Sequence, residues 1–360
     1  MTTRFELLLV GFGHVAQRFV TLLEEQRAPL AREHGIVVRV IGIVTRRHGR
    51  AVAARGLDAI ALARRAERGG AIGKTSAEPA TPALVHELST KTPAARQGRL
   101  VVVETTTLDI VRGQPAIDHV RAALTGGAHV ITANKGPAAF AYRALAQTAR
   151  RAGRRFLFEG AVMDGIPIFN LVRETLPAVK ILGFRGVVNS TTNYILTAME
   201  TGQPFDAALA EMQGAGIAEA DASLDVDGWD AAAKTAALAN VLLDARLTPH
   251  TVERHGITAA SGPRAIAARA AGRRLKLVAR AGRNGGVSAR VAPEELADDD
   301  LLAGLEGQQN AIIFHTDLLG EVAIVQRGGG LTQTAYALLS DLLAIGRDVS
   351  GRPPARRARS

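Results

Sequence analysis

The densest group of side chains capable of chemistry lies between residues 219 and 234. Carboxylates occur there at Glu219, Asp221, Asp225, Asp227 and Asp230. Lys234 follows Asp230 by four residues, a spacing that places both side chains on one helix face. Such a pair is usually an exposed surface ion pair of small energetic effect. The helix predicted over residues 228–244 is almost all Ala, Leu and Val, however, and a helix that is apolar on every face is normally buried. We therefore expect Asp230 and Lys234 to lie in a pocket.

Lysine is rare in this chain. Lysine and arginine together number 44, but the lysines are only Lys74, Lys91, Lys135, Lys180, Lys234 and Lys276. Arginine does not release its proton near neutral pH, whereas a desolvated lysine can. A pocket that needs a proton donor would therefore retain lysine, which makes the lysines candidates for proton transfer.

A glycine-rich turn follows the first predicted strand, residues 5–10, which is a nearly continuous apolar run. The turn reads Gly11, Phe12, Gly13, His14, Val15, Ala16. In the G-x-G-x-x-A pattern the first glycine makes a tight turn, the second lets the backbone approach a pyrophosphate, and the small third residue permits close helix packing. Its position between a strand and a helix predicts a dinucleotide-binding site.

The second predicted strand, residues 36–44, ends without the acidic residue that usually holds the ribose 2′-hydroxyl of NAD. Arg46 and Arg47 follow it instead. Arginines there would attract the 2′-phosphate of NADP, so we expect NADP, with NAD possible and with a plain surface role as the alternative for both arginines.

Two further strands, residues 100–103 and 128–132, end in polar loops. Thr105 and Thr106 follow the first, and Asn134 and Lys135 follow the second. Ligands of doubly wound sheets bind beyond the carboxyl ends of the strands, so these four residues are expected at the cofactor crevice. A solvated loop lysine is the alternative for Lys135.

Beyond residue 177 several predicted strands alternate apolar and polar residues, as in an antiparallel sheet with one covered face. The fold class expected is therefore α/β, with an N-terminal Rossmann-type doubly wound sheet and an α+β substrate-binding domain. A glycine-containing loop at residues 159–167 begins with Glu159, whose carboxylate beside loop carbonyls suggests a hard-cation site, although any polar turn has this composition.

Composition excludes several classes of protein. The net charge of +10 is concentrated partly in a Pro/Arg-rich C-terminus and otherwise scattered, and aromatic residues make up only 4%, so we expect no nucleic-acid partner. The chain has no cysteine, which excludes disulfides and thiolate metal sites. No apolar run reaches the length of a membrane span and no signal-peptide pattern opens the chain, so we expect no membrane partner and a cytoplasmic location.

Taken together, these segments resemble the homoserine dehydrogenase family. The resemblance rests on five ordered blocks: GFGHVA at 11–16, TANKGP at 132–137, EGAVMDGIP at 159–167, GVVNSTTNYIL at 186–196, and AEAD with LDVDGWDAAAK within 218–234. It implies reversible interconversion of L-homoserine and L-aspartate 4-semialdehyde with a nicotinamide cofactor, in the pathway to threonine, methionine and isoleucine. Two alternatives stay open: a catalytically silent NADP-binding interaction protein, and a reductase of a related amino aldehyde.

The resemblance also assigns residues and domains. It implies substrate binding by Glu219, Asp225 and Lys234, catalysis by Lys135, Lys234 and Asp230, and a cofactor loop near Gly330. It further implies a monovalent cation (Na⁺ or K⁺) at Glu159, Val162, Asp164 and Ile166, and a homodimer formed through the substrate domain. The expected domains are 1–155 for the dinucleotide, 156–325 for substrate binding and dimerisation, 326–346 for a C-terminal helix returning to the first domain, and 347–360 for a basic disordered tail. A regulatory domain of the ACT type is not expected after residue 345.

The two lysines of the expected site need not share a role. Asp230 lies one helical turn from Lys234 and favours its charged form, which suits a fixed positive charge. Lys135 has no carboxylate adjacent in sequence. We therefore expect Lys135 to donate the proton and Lys234 to position the substrate.

Overall fold

The computed structural model describes residues 2–46, 48–73, 81–215, 221–283 and 285–350. It consists of two compact units. The first contains the chain up to Pro137, the segment Ala141–Asn170 and the chain from Gly330; the second contains Ala138–Phe140 and Leu171–Gly329. The first boundary thus falls at Asn170 rather than at residue 155.

The first unit is built on a six-stranded sheet in the order β3-β2-β1-β4-β5-β6. All neighbouring strands are parallel except β3, which is antiparallel to β2. The strands are β1 (Thr3–Val10), β2 (Ile36–Val44), β3 (Arg50–Val52), β4 (Leu100–Glu104), β5 (His129–Thr132) and β6 (Phe156–Leu157). The helices between them are α1 (His14–Glu25), α2 (Arg27–Glu33), α3 (Ala59–Glu67), α4 (Pro82–Lys91), α5 (Pro93–Arg96), α6 (Ala116–Thr125) and α7 (Gly136–Ala152). This is the Rossmann-type sheet that the sequence predicts.

The C-terminal helix, Leu331–Ser350, belongs to this first unit. Its buried face, which includes Leu338, Leu342 and Ile345, shares one hydrophobic core with Phe5 of β1 and Phe19 of α1. The helix continues past residue 345 to Ser350, so residues 347–350, expected in the tail, are helical; the rest of that tail lies outside the described residues.

The second unit contains a six-stranded sheet in the order β12-β11-β7-β9-β10-β8. Its pairs are antiparallel, apart from the short parallel pair of β8 with β10. The strands are β7 (Ile181–Val187), β8 (Glu253–Arg254), β9 (Arg273–Arg283), β10 (Val287–Ala297), β11 (Asn310–Thr316) and β12 (Glu321–Gln326). The helices are α8 (Ser190–Met199), α9 (Phe205–Gly214), α10 (Ser223–Val226), α11 (Trp229–Leu242) and α12 (Ser261–Ala270), and a π-helical turn spans Leu171–Thr175.

Helix α11 confirms the expectation of a buried helix. Nine of its residues are buried, from Ala231 to Asn240, and they are mostly alanines. Small side chains let a helix approach neighbouring backbone closely, so an Ala-rich sequence suits a helix that is packed on most of its faces. None of the described helices is long and apolar enough to cross a membrane.

A buried carboxylate network joins the loop after β6 to the C-terminal helix. Glu159, 2% exposed, accepts hydrogen bonds from the backbone N–H groups of Ile168 (2.5 Å), Phe169 (3.0 Å) and Asn170 (2.5 Å). Asp341 of the C-terminal helix accepts one from the backbone N–H of Glu159 at 2.9 Å and one from Nδ2 of Asn170 at 3.1 Å. These contacts explain why residues 156–170 belong to the first unit.

Replacing Asp341 by alanine should lower the free energy of unfolding by about 1–3 kcal/mol, because the buried N–H of Glu159 loses its acceptor. Urea unfolding followed by circular dichroism measures the change. Ser340→Ala is the matched control, since the Ser340 hydroxyl lies only at the limit of hydrogen bonding, 3.4 Å from Nδ2 of Asn170. Equal stability of the Asp341→Ala variant and the wild type would contradict the role given to Asp341.

Candidate active site

The glycine-rich turn between β1 and α1 has the backbone geometry that dinucleotide binding requires. Gly11 has φ +88°, and a Cβ built there would lie 2.9 Å from the backbone of Thr105, so a side chain is excluded on both grounds. A Cβ at Gly13 would meet nothing within 4 Å, which leaves its backbone open to a ligand. No side chain caps the first turn of α1 and no acidic residue lies in it, so its N–H groups can receive a phosphate.

A cavity of about 490 Å³ lies at the carboxyl ends of β1, β2 and β4. The expected cofactor residues that line it are Gly11, Phe12, Gly13, Arg46, Thr105 and Thr106. Those that do not line it are His14, Val15, Ala16, Asn134, Lys135 and Gly330. Ala16 is completely buried, as its packing role requires, and Gly330 accepts a hydrogen bond from the backbone N–H of Thr334 where the C-terminal helix begins.

Hydrogen bonds of the Thr45 hydroxyl hold the loop after β2 in a closed turn. The hydroxyl of Thr45 accepts from the backbone N–H of His48 at 2.8 Å and donates to the carbonyl of Gly49 at 2.9 Å. Arg46, at the tip, is exposed and lines the cavity. Arg47 lies outside the described residues. The Arg46 guanidinium thus lies in the loop after β2, the strand whose end usually carries the carboxylate that holds a ribose hydroxyl of NAD.

A second buried carboxylate lies under the loops at the ends of β4 and β5. Glu104, which is fully buried, accepts from the backbone N–H of Thr106 at 2.9 Å and from the hydroxyl of Thr132 at 2.7 Å; the hydroxyl of Thr106 also donates to it. The ring of His119 lies 4.0 Å away. This carboxylate holds the Thr105–Thr106 backbone against β5, a function that the sequence analysis did not assign to it.

Lys135 is placed by the residues around it. The hydroxyl of Thr132 accepts from the backbone N–H of Asn134 at 2.9 Å, and the Asn134 side chain donates to the Thr106 carbonyl at 2.9 Å and accepts from the Gly136 N–H at 2.8 Å. Lys135 itself is half-buried at the N-terminus of α7. The loop that carries it is therefore rigidly tied to the loop after β4.

The second unit contains the carboxylate and lysine cluster. Lys234 Nζ lies 2.8 Å from Asp230 Oδ2 and donates to the Val188 carbonyl at 2.7 Å. The two side chains of the pair are only 14% and 16% exposed. Asp230 and Lys234 thus form a largely buried ion pair, and the alternative of an exposed surface pair is wrong.

Asn189 joins a second aspartate to this pair. Its Nδ2 donates to Asp225 Oδ1 at 2.7 Å and to Asp230 Oδ2 at 3.0 Å. Burial and the neighbouring charge of Asp230 raise the pKa of Asp225, while hydrogen bonds from Asn189 and Thr191 and the charge of Lys234 oppose this shift. Two carboxylates and one ammonium give the cluster a net charge of about −1 when all are ionised, so it can bind a cationic group.

The turn between α10 and α11 is held in place by Gly228 and Trp229. Gly228 has φ +80°, a left-handed conformation that suits glycine, and begins α11. The guanidinium of Arg254 lies 3.7 Å from the centre of the Trp229 ring and donates to the Asp227 carbonyl. A cation–π contact of this kind ties the turn that carries Asp225 and Asp230 to strand β8.

Asn189 also caps α8, a role that the sequence analysis did not assign to it. Its Oδ1 accepts from the Thr192 N–H at 2.9 Å. An asparagine just after a strand and three residues before a free N–H was the signal that could have identified it. Glu219, the remaining expected substrate residue, lies outside the described residues.

The loop expected to bind a cation is joined to the C-terminal helix by a hydrogen bond. Met163 and Asp164 have φ +52° and +53°, and the Asp164 carboxylate accepts from the Thr334 hydroxyl at 3.2 Å. Val162 is buried and Ile166 is half-buried. Across the described residues no group of three or more His, Asp and Glu side chains could hold a metal ion, so a cation here would depend on Glu159 and backbone carbonyls.

Comparison with known families agrees with the geometry of both units. Residues 11–159 match the family model described as the NAD-binding domain of homoserine dehydrogenase, and residues 167–343 match the model of homoserine dehydrogenase itself. The two matches cover the glycine-rich turn and Lys135 in one case, and Asn189, Asp225, Asp230 and Lys234 in the other.

Similar proteins extend over almost the whole chain. An NAD(+)-dependent homoserine dehydrogenase from Pseudomonas canavaninivorans is 38% identical over 95% of this chain and 96% of its own length. A homoserine dehydrogenase from Methanocaldococcus jannaschii is 34% identical over 94% of this chain and 98% of its own length. A hyperthermophilic archaeal homoserine dehydrogenase in complex with NADPH has a TM-score of 0.78 at 28% identity, covering 98% of this chain and all of that one. The chain therefore belongs to the homoserine dehydrogenases, NAD(P)-dependent oxidoreductases that act on a CH–OH group.

Proposed function

We propose that this homoserine dehydrogenase binds the amino group of its substrate at Asp225 and Glu219, orients the substrate with Lys234, and uses Lys135 to move the proton at the reacting oxygen. The observation that carries this assignment is the buried cluster in which Asn189 and Lys234 hold Asp225 and Asp230 together. The reaction is the reversible interconversion of L-homoserine and L-aspartate 4-semialdehyde.

The charges of the cluster support the role of Asp225. Lys234 forms its ion pair with Asp230, while Asp225 accepts a hydrogen bond from the neutral amide of Asn189. An ammonium group on the substrate would add a positive charge beside Asp225. Burial raises the pKa of Asp225. As the pH is lowered, this carboxylate would therefore become protonated at a higher pH than an exposed aspartate does.

The proton and the hydride have different sources. The nicotinamide, when bound, supplies or accepts the hydride at the carbon that carries the oxygen. In the direction of reduction the ammonium group of Lys135 would donate a proton to the aldehyde oxygen, and in oxidation the neutral amine would remove it from the alcohol. Lys234, already held by Asp230 and the Val188 carbonyl, is suited to a fixed charge rather than to proton exchange.

The two lysines should give different kinetic signatures when each is replaced by alanine. Lys135→Ala should lower kcat by roughly 10² or more with little change in substrate binding, because general acid–base catalysis is lost. Lys234→Ala should raise the KM for homoserine as well, since Asp230 loses its partner. Steady-state kinetics in both directions measures the split.

Lys91→Ala is the control for this pair, because Lys91 is exposed and forms an ion pair with Glu87 on the surface of the first unit. It should behave as the wild type. The assignment is reversed if Lys234→Ala abolishes turnover while Lys135→Ala remains near the wild type.

Cofactor preference does not follow from family membership, because the relative at 38% identity is NAD(+)-dependent while another relative was solved with NADPH. We propose that this chain prefers NADP. The support is Arg46, whose exposed guanidinium lines the cavity in the loop after β2. Strand β2 does not end in the acidic residue that would hold a ribose hydroxyl of NAD.

Arg46→Asp should move the ratio of specificity constants from NADP toward NAD, because a carboxylate accepts the ribose hydroxyl and repels a 2′-phosphate. The kcat/KM for each cofactor at saturating homoserine measures the ratio. Arg143→Asp provides the control, since Arg143 is an exposed arginine of the same unit that does not line the cavity. An unchanged ratio in Arg46→Asp would leave Arg46 as surface only.

We also propose a monovalent cation, Na⁺ or K⁺, bound by Glu159 with the backbone carbonyls of Val162, Asp164 and Ile166. An all-oxygen donor set suits such an ion. The three N–H groups that donate to Glu159 compete with a cation for the carboxylate oxygens. The cation would therefore bind Glu159 weakly, and the backbone carbonyls would be its main ligands. The cation would stabilise the loop rather than take part in the reaction.

If the cation binds, activity at constant ionic strength should be higher in Na⁺ or K⁺ than in tetramethylammonium, which is too large for a site of backbone carbonyls. Titrating the alkali-metal ion into the tetramethylammonium buffer should restore activity with saturation. Identical activity and identical thermal unfolding in all three salts would exclude the site.

The homodimer stays a prediction. Its support is the edge strand β12 of the second sheet, with Val325 44% exposed and the adjoining turn residues Leu318 and Leu319 67% and 52% exposed. Large apolar side chains at an uncovered sheet edge are typical of a surface that pairs with another chain.

A further inference from the structure

One amide group serves two carboxylates in the cluster of the second unit. Asn189, which is 5% exposed, uses both hydrogens of its Nδ2, one toward Asp225 at 2.7 Å and one toward Asp230 at 3.0 Å. Its Oδ1 accepts from the Thr192 N–H at 2.9 Å, which fixes the orientation of the amide. The donor therefore cannot turn away from the carboxylates without giving up the cap of α8.

Two like charges this close repel each other unless donors or cations stand between them. The cluster contains one lysine, and Lys234 makes its ion pair with Asp230. A neutral donor that contacts both aspartates reduces their repulsion without neutralising either. The three ionised groups Asp225, Asp230 and Lys234 then sum to about −1, which suits a cationic ligand.

We propose that Asn189 is a positioning residue for the substrate's ammonium group: its amide holds Asp225 beside Asp230 so that the substrate meets a preformed anionic site. This inference rests on the proposed role of Asp225 in binding that group. Asn189 acts through the two carboxylates.

The ionisation of Asp225 gives a second line of support. Burial and Asp230 raise its pKa, while the hydrogen bond from Asn189 lowers it, ahead of the effects of Lys234 and Thr191. Of the described charged residues, Asp230 and Lys234 from α11 act on it, the exposed Asp221 and Asp227 flank α10, and α8 has none. Without the Asn189 amide the pKa of Asp225 should rise further.

Asn189→Ser is the variant of choice, because serine caps a helix about as well as asparagine but has no amide to reach the two carboxylates. The KM for homoserine should rise by roughly tenfold or more, as expected when a hydrogen bond to a charged group is lost. The KM for the cofactor should not change. The acidic limb of the pH profile of kcat/KM for homoserine should move to higher pH, since Asp225 must be ionised to bind an ammonium group.

Asn193→Ser is the matched control on the same helix. Asn193 is also buried and donates through Nδ2 to two acceptors, but these are the carbonyls of Gly307 and Gln309. Its replacement should lower the thermal unfolding temperature and leave the KM for homoserine and the pH profile as in the wild type.

Asn189→Asp tests the same point if the serine variant does not fold. It retains the shape and the cap but replaces the shared donor with a third carboxylate, so the KM and the acidic limb should move in the same direction. If the wild type is active and a folded Asn189 variant has the wild-type KM and pH profile, the inference is overturned. A wild type without activity toward homoserine would instead contradict the proposed function.

Discussion

A buried carboxylate must be surrounded by hydrogen-bond donors or cations, because removing its charge from water is otherwise very costly. Three such carboxylate groups organise this enzyme: Glu104 under the ends of β4 and β5, Glu159 after β6, and the Asp225 and Asp230 pair of the second unit. In each case at least one donor is distant in sequence: Thr132 lies 28 residues from Glu104, residues 168–170 lie 9 to 11 residues from Glu159, and Asn189 lies 36 and 41 residues from the two aspartates. Meeting this requirement therefore fixes loop geometry at the places where chemistry is expected.

In the first unit this constraint explains how the polar loops after β4 and β5 are held together beside the cavity at the glycine-rich turn. Glu104 accepts hydrogen bonds from the N–H of Thr106 and the hydroxyl of Thr132. The Thr132 hydroxyl in turn accepts a hydrogen bond from the backbone N–H of Asn134. The position of Lys135 thus depends on a residue that never needs to contact a ligand. Glu159 and Asp341 act similarly, because they attach the loop after β6 to the C-terminal helix.

In the second unit two carboxylates share one amide donor and lie beside one ammonium group. Asn189 donates to both aspartates, Lys234 forms an ion pair with Asp230, and burial together with the charge of Asp230 raises the pKa of Asp225. A site that exists only to stabilise the fold would be expected to balance its charges. An excess of negative charge in a largely buried position is instead suited to a cationic ligand.

The sequence by itself determined the features that depend on neighbours along the chain. Strand β2 was predicted with its observed bounds, the turn from Gly11 to Ala16 was predicted between a strand and a helix, and Asp230 and Lys234 were predicted on one face of a buried helix, because apolar runs, glycine spacing and helical periodicity are local properties. Only the tertiary structure decided the partners of Glu104, Glu159 and Asn189. Asn189 is 36 and 41 residues from the aspartates it bridges, and Glu159 is 182 residues from Asp341. Which donor reaches a buried carboxylate across such separations depends on how the helices and strands pack, and no local pattern encodes it.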